Sequence, residues 1–196
     1  ALGAVAGACD AASAARRGDE PGLTAARTFV DAPMTYPYGV HLAQVEVDRE
    51  TGGVRVRRYF IAYEIGRAVN PALVEGQLVG GAAQGLGGAL MEEFRYDADG
   101  QPQCTSFMDY LIPSAAEVPP VGTAVCEDAP SPGNPLGVKG AGEGGVDGAG
   151  AVVAAAVEDA LGASRAITGV PVVPEHVRAI VAAQDRSAVC DVADRA

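Results

Sequence analysis

One stretch constrains this chain more than any other. Residues 70–94, NPALVEGQLVGGAAQGLGGALMEEF, open with Asn70 as a cap and Pro71 in the first turn, where its missing N–H costs nothing. They read as a helix over 71–92, yet six glycines lie inside it. Each costs about 1 kcal/mol relative to alanine in a helix. Something must therefore approach this helix closely, and the rest of the fold must allow it.

The neighbouring segments supply candidates. VHLAQVEVD, residues 40–48, alternates apolar and polar positions at the strand period, and VRVRRYFIAYEIG is its partner. RETGG between them carries the glycines that a tight reversal with positive φ needs, so a hairpin is predicted. FRYDADGQPQCTSFMDYLIP predicts strand, turn at Asp99-Gly100, and strand; residues 121–127 predict another. GVDGAGAVVAAAVEDALG reads as a buried Ala/Val-rich helix closed by Gly162, and VPVVPEHVRAIVAAQ as a Pro-initiated final helix. Residues 1–17 read as a helix end, stopped by RRGDEPG. The expected fold is α+β, a mostly antiparallel twisted sheet flanked by helices. Residues 1–27 are an N-terminal helix and linker, 28–184 the main domain and 185–196 a tail.

Charge and cysteines exclude several classes. Fourteen Lys plus Arg stand against 25 Asp plus Glu, a net charge of −11, which removes the phosphate attraction behind most nucleic-acid binding. Cys9, Cys104, Cys126 and Cys190 lie far apart without CxxC or Cys/His spacing, so neither zinc nor a local iron–sulfur loop is encoded and no residue is assigned as a metal ligand. Unpaired thiols fit a reducing cytoplasm. The apolar N-terminus lacks a leading basic region, so neither a signal peptide nor a membrane span is expected.

GNPLGVKGAGEGGVDGAG, residues 133–150, places eight glycines around Lys139 and Glu143. A main chain without side chains can aim N–H groups at anions and let a bulky ligand touch the backbone. The spacing fits neither GxxxxGK[ST] nor a strand-linked GxGxxG. By itself it also reads as a turn-rich loop before a helix.

YPYGVHLAQVEVD, IGRAVNPALVEGQLVGGAAQGLGGALMEE, MDYLIPSAAEVP and NPLGVKGAGEGG occur in one order. Together they resemble the C-terminal part of the molybdenum-binding large subunit of the xanthine dehydrogenase family of molybdenum hydroxylases. The similarity runs over residues 28 to about 182 and is nearest the bacterial branch that includes aerobic carbon monoxide dehydrogenase. It implies oxidative hydroxylation of an electron-poor carbon, in an N-heterocycle, purine or aldehyde, with water as the oxygen source. Glu143 matches the family's active-site base, and partial desolvation would raise its pKa toward the useful range. The implied cofactor is molybdopterin with Mo, as the cytosine dinucleotide. Gln77 matches a glutamine that hydrogen-bonds the pterin, and its amide both donates and accepts. The backbone of Lys139, Gly140, Ala141 and Gly142 would approach pterin and phosphates, Lys139 adding charge or lying solvated. Glu64 stands where many relatives carry an aspartate near the nucleotide, and Asn70 is either a further contact or only the helix cap.

The resemblance also implies partners. Large subunits of this family are several times longer, so the chain is expected to be one piece of a split subunit or a processed fragment. A longer molybdenum-binding chain, an iron–sulfur subunit with [2Fe–2S] clusters and a flavin subunit with FAD would complete the enzyme. Phe29, Met34, Tyr36 and Tyr38 border the site or pack. Two other classes remain open: a non-catalytic assembly or cofactor-delivery paralogue of the same fold, and a nucleotide-binding module using the glycine loop.

Overall fold

The structure, a computed structural model, describes residues 1–23, 26, 28 and 33–193. Phe29 lies outside the described residues. The chain divides into two units, Ala1–Pro33 and Met34–Ala196.

The first unit holds two short helices, α1 (Leu2–Ala8) and α2 (Ala11–Arg17), where the sequence suggested the end of one. The break falls at Asp10, whose carboxylate accepts from the N–H groups of Ala12 and Ser13 and so caps a new helix. Gly18 closes α2 in the left-handed conformation.

The second unit begins with the hairpin β1 (Tyr38–Val47) and β2 (Val54–Glu64), antiparallel as expected. Asp48 Oδ1 accepts from Glu50 and Thr51, and Gly52 takes φ +80° at the reversal. The chain then runs through α3 (Pro71–Leu90) to β3 (Val121–Cys126), which pairs parallel to β2, giving the order β1-β2-β3. The sheet thus has one antiparallel and one parallel pair, and the parallel pair needs the long crossover that α3 occupies. After it come α4 (Ala149–Leu161), closed by Gly162 at φ 62°, and α5 (Pro174–Ala193). α5 runs unbroken from 184, the last residue of the main domain in the sequence reading, into the stretch read as a tail from 185. No helix among the described residues is long and apolar enough to cross a membrane.

Residues 94–113 do not form the expected strand pair. The Asp99-Gly100 turn is present, with Asp97 Oδ1 accepting from Asp99 and Gln101, but only one bridge, Tyr96 with Pro102, follows it. Pro102 has no N–H to give a ladder, and Phe107 and Met108 are 87% and 92% exposed, so no packed surface holds the second strand.

Period 2 on β2 and period 3.6 on the helices meet in one core. Tyr59, Ile61 and Tyr63 project from the inner face of β2; Leu78, Ala82, Leu86 and Ala89 come from α3, and Val153, Val157 and Leu161 from α4. α4 packs on β1, and α3 on α4 and β3. The opposite face of the sheet leaves Tyr38, Val40, Leu42 and Phe60 exposed.

The helix glycines divide by what faces them. A Cβ on Gly81 would come 2.9 Å from Gly145 Cα and 3.1 Å from Val146 N, and one on Gly85 would collide with Ala149 Cβ. At Gly76, Gly80 and Gly88 nothing lies within 4 Å. Fully buried Leu78, Val153 and Val157 each contribute about 1.5–3 kcal/mol. That gain offsets the glycine penalty of about 1 kcal/mol per residue only because Gly81 and Gly85 let α3 and the start of α4 touch. Gly81→Leu or Gly85→Leu is therefore expected to destabilise the protein by about 1–3 kcal/mol through overpacking, despite leucine's better propensity. Gly88→Ala should instead stabilise it by about 0.5–1 kcal/mol. Urea unfolding of the three variants checks the contrast.

Candidate functional site

Glu64 ends β2 inside the protein, and Lys139, 75 residues later and the only lysine in the chain, ends beside it. Their side chains are 5% and 9% exposed, so this is a buried pair and not a surface one. Glu64 Oε2 accepts from Lys139 Nζ, and Oε1 accepts from Gly66 N at 2.7 Å and Ala129 N at 3.2 Å. The Lys139 ammonium also lies 5.1 Å from the centre of the Tyr38 ring. Desolvation pushes the Glu64 carboxyl up, but the hydrogen bonds from Lys139, Gly66 and Ala129 outweigh it and hold the carboxyl below its ordinary value. Lys139 N donates to Ile65 O at 3.0 Å, and Asn134 bridges to both the N–H and the carbonyl of Val138. The pair thus ties the glycine loop to the end of β2.

The loop then crosses the inner face of the sheet. The Glu143 carbonyl accepts from Val146 N at 2.9 Å and Asp147 N at 3.2 Å, forming the turn that leads into α4. A side chain on Gly144 would run into the Tyr63 ring, one on Gly145 into Leu78 O and Gly81 Cα, and one on Gly148 into His41, 2.9 Å from Cγ. The absence of side chains is what seats this turn against β1, β2 and α3 together. His41 adds a polar clamp, Nε2 2.9 Å from Gly144 O and Nδ1 2.7 Å from Tyr59 Oη. Burial pushes the Tyr59 phenol up to about 12. Burial also raises Tyr63, with the negative charges of Asp147 and Glu143 adding to it, so its phenol stays neutral beside both carboxylates.

Gln77, on α3, meets this loop. Its Nε2 lies 3.8 Å from where a Cβ on Gly142 would stand, and Gly140 has nothing within 4 Å. Gln77, Gly142 and Glu143 are all exposed, while Ala141 packs against the core. The fold therefore gathers Gln77 and residues 140–143 around open backbone. It provides no cover for Glu143, so the partial desolvation expected for that carboxylate is not supplied by these residues. Lys139 is neither solvated nor free to offer charge, because Glu64 takes it. Asn70 is the cap of α3, Oδ1 accepting from Leu73 N at 3.3 Å. A cavity of about 740 Å³ lined by Phe94, Cys104, Phe107 and Tyr110 lies in the 94–110 segment and shares no lining residue with the loop.

Sequence reading missed His41, Tyr59, Tyr63 and the Glu64–Lys139 pairing. A chain with one lysine, set in a glycine loop, carried a signal for the last. Nothing in the spacing marked the other three.

Gln77 thus sets a side-chain amide beside exposed loop backbone, with the Glu143 carboxylate next in sequence. Residues 4–119 match the family described as molybdopterin cofactor-binding domain, and the chain belongs to that family. It is 50% identical over 173 residues, 88% of the chain and 22% of the relative, to the 6-hydroxypseudooxynicotine dehydrogenase complex subunit gamma of Paenarthrobacter nicotinovorans. Any continuous stretch of that length in this chain includes the Glu143 loop. The carbon monoxide dehydrogenase large chain of Afipia carboxidovorans is 38% identical over 63% of the chain and 15% of its own length. Among solved structures, reconstituted CO dehydrogenase from Oligotropha carboxidovorans matches with TM-score 0.80 and 32% identity, over 90% of this chain and 22% of that one. Quinoline 2-oxidoreductase from Pseudomonas putida 86 matches with TM-score 0.69 and 43% identity, over 73% and 18%. The chain spans about a fifth of the length of these relatives, and with them it is part of the molybdenum hydroxylase family.

Removing one member of a buried ion pair strands the other, so Lys139→Met should destabilise the protein by about 3–5 kcal/mol. Adding Glu64→Gln should recover part of that loss. Because the folded carboxyl is held low, its contribution is complete above the ordinary carboxylate range of about 4 and is lost as pH falls through the lowered value. Urea unfolding between acid and neutral pH should show that loss in the wild type and not in Glu64→Gln.

Proposed function

We propose that this chain forms the wall of a molybdenum hydroxylase active site that carries the proton-accepting Glu143, in a complex that oxidises an electron-poor carbon. The observation that carries the reading is the meeting of Gln77 with the open backbone at Gly142, directly before Glu143. A pterin edge fits there: the amide offers one donor group and one acceptor, and Gly140 and Gly142 leave the main chain accessible. Gln77 and the backbone of residues 140–142 would hold the pterin. Glu64, Lys139 and Asn70 act behind it, fixing the loop and α3.

When bound, the molybdenum cofactor supplies a two-electron oxidant. This chain's part is to hold the proton of the oxygen nucleophile at the Glu143 carboxylate and to keep that carboxylate in place. Tyr63, neutral and adjacent, bounds it on the sheet side. Water exclusion must come from another surface, since Glu143 is exposed here.

The class of substrate we favour is an N-heterocycle, supported by the names of two relatives, nicotine 6-hydroxylase and quinoline 2-oxidoreductase. The cytosine dinucleotide form of molybdopterin follows the bacterial branch that the sequence resembles. The remainder of a molybdenum-binding chain, an iron–sulfur subunit and a flavin subunit carrying FAD would complete the complex; that one relative is named as a complex subunit supports this. Exposed Tyr38, Val40, Leu42 and Phe60 supply apolar area for such an interface. Cys9, Cys104 and Cys126 as free thiols suit the cytoplasm.

In the assembled complex, Glu143→Gln should keep its molybdenum and lose about 10²–10⁴-fold in turnover, because only the base is removed. Gln77→Ala should instead lower the molybdenum content. Metal analysis with steady-state kinetics separates the two, and a Glu143→Gln complex with near wild-type turnover overturns the assignment. A delivery paralogue would release its cofactor and turn nothing over.

A further inference from the structure

His41 lies on β1, and its imidazole grips the turn that follows Glu143. Nε2 is 2.9 Å from the Gly144 carbonyl oxygen and Nδ1 2.7 Å from Tyr59 Oη. A carbonyl only accepts, so Nε2 carries the proton and donates. Tyr59, its phenol pushed up to about 12 by burial, keeps its proton and donates to Nδ1. One tautomer of the neutral ring therefore satisfies both partners. Tyr59 stands edge-on to the imidazole, with ring centres 5.7 Å apart and planes at 88°, and Gly148 lies against the imidazole ring itself. Gly144 directly follows Glu143, and the Glu143 carbonyl closes the turn by accepting from Val146 and Asp147. The turn is thus held from α3 by Gly81 against Gly145, and from the sheet by His41.

We infer that His41 is a positioning residue for Glu143: through Gly144 it fixes the backbone from which the carboxylate projects. This rests on reading Glu143 as the base. Misplacement of a reacting group by about 1 Å can cost on the order of 10²-fold in rate, whereas binding made elsewhere is unaffected. The effect should therefore fall on kcat and not on KM.

The test uses the assembled complex and whichever of nicotine, quinoline and 6-hydroxypseudooxynicotine the wild type oxidises fastest. His41→Phe fills the same space without either hydrogen bond. It should keep wild-type molybdenum content, hold KM within about 3-fold, lose about 10–100-fold in kcat, and speed hydrogen exchange at the amides of Val146, Asp147 and Ala149. His41→Gln presents one donor and one acceptor, as the neutral imidazole does, and should recover most of kcat and of the exchange protection. Unchanged kcat and exchange in His41→Phe would overturn the inference. So would His41→Gln as impaired as His41→Phe, or loss of molybdenum in both, since either outcome assigns His41 to filling space or to folding. Glu143→Gln run alongside keeps the two readings apart. If that variant stays active, the base assignment fails, while the exchange rates still decide whether His41 holds the turn.

Discussion

Backbone lies against backbone where α3 meets the turn before α4. Gly81 and Gly145 face each other across that contact, and Gly85 faces Ala149 one turn further on. Two ordinary helices keep their axes 8–10 Å apart because side chains stand between them; here part of that separation is removed. The closer approach places Leu78 and Ala82 against Val153 and Val157 in one core with Ile61 and Tyr63. It also sets Gly142 within reach of Gln77. Core packing and site geometry therefore depend on the same few missing side chains, and a change that disturbs one disturbs the other.

Around that contact, polar groups act as fasteners. Glu64 satisfies one ammonium and two backbone N–H groups at the end of β2, which anchors the loop at Lys139. His41 anchors it again at Gly144. Between the two anchors, Gly140, Ala141, Gly142 and Glu143 cross a short span whose ends are fixed. A loop held this way is already ordered, which lowers the entropy cost of anything that binds to it. The carboxylate of Glu143 itself stays exposed, and Tyr38, Val40, Leu42 and Phe60 stay exposed on the outer face of the sheet. Both features suit a module that completes its site against another surface.

Local signals were legible where one element decides the outcome. The hairpin followed from alternation and the Gly52-Gly53 reversal, α3 from Asn70 and Pro71, and α4 from its apolar run and Gly162. Residues 94–113 were misread because alternation suggests a strand, while a second strand also needs a partner surface that this segment lacks. The site divides the same way. Gln77 and Glu143 were singled out through the resemblance of their motifs, whereas His41 and Tyr63 carry no motif and meet the loop only because of where β1 and β2 place them.

By itself, then, the sequence determined the hairpin, the two glycine-bearing segments and the family to which they belong, because those depend on residues close together in the chain. It also required that α3 be closely approached, since six glycines demand a reason. Tertiary structure alone decided what approaches. Gly81 receives the turn before α4 and Gly85 the first residue of α4, while nothing lies within 4 Å of a Cβ on Gly76 or Gly80. It decided too that the single lysine would be spent on Glu64, and that an imidazole from β1 would hold Gly144, 103 residues away. The physical reason is common to all of these. Hydrogen bonds and close contacts are short-ranged, so their partners are set by which surfaces the packed core brings within about 3–4 Å, and that is a property of the whole fold and not of any segment in it.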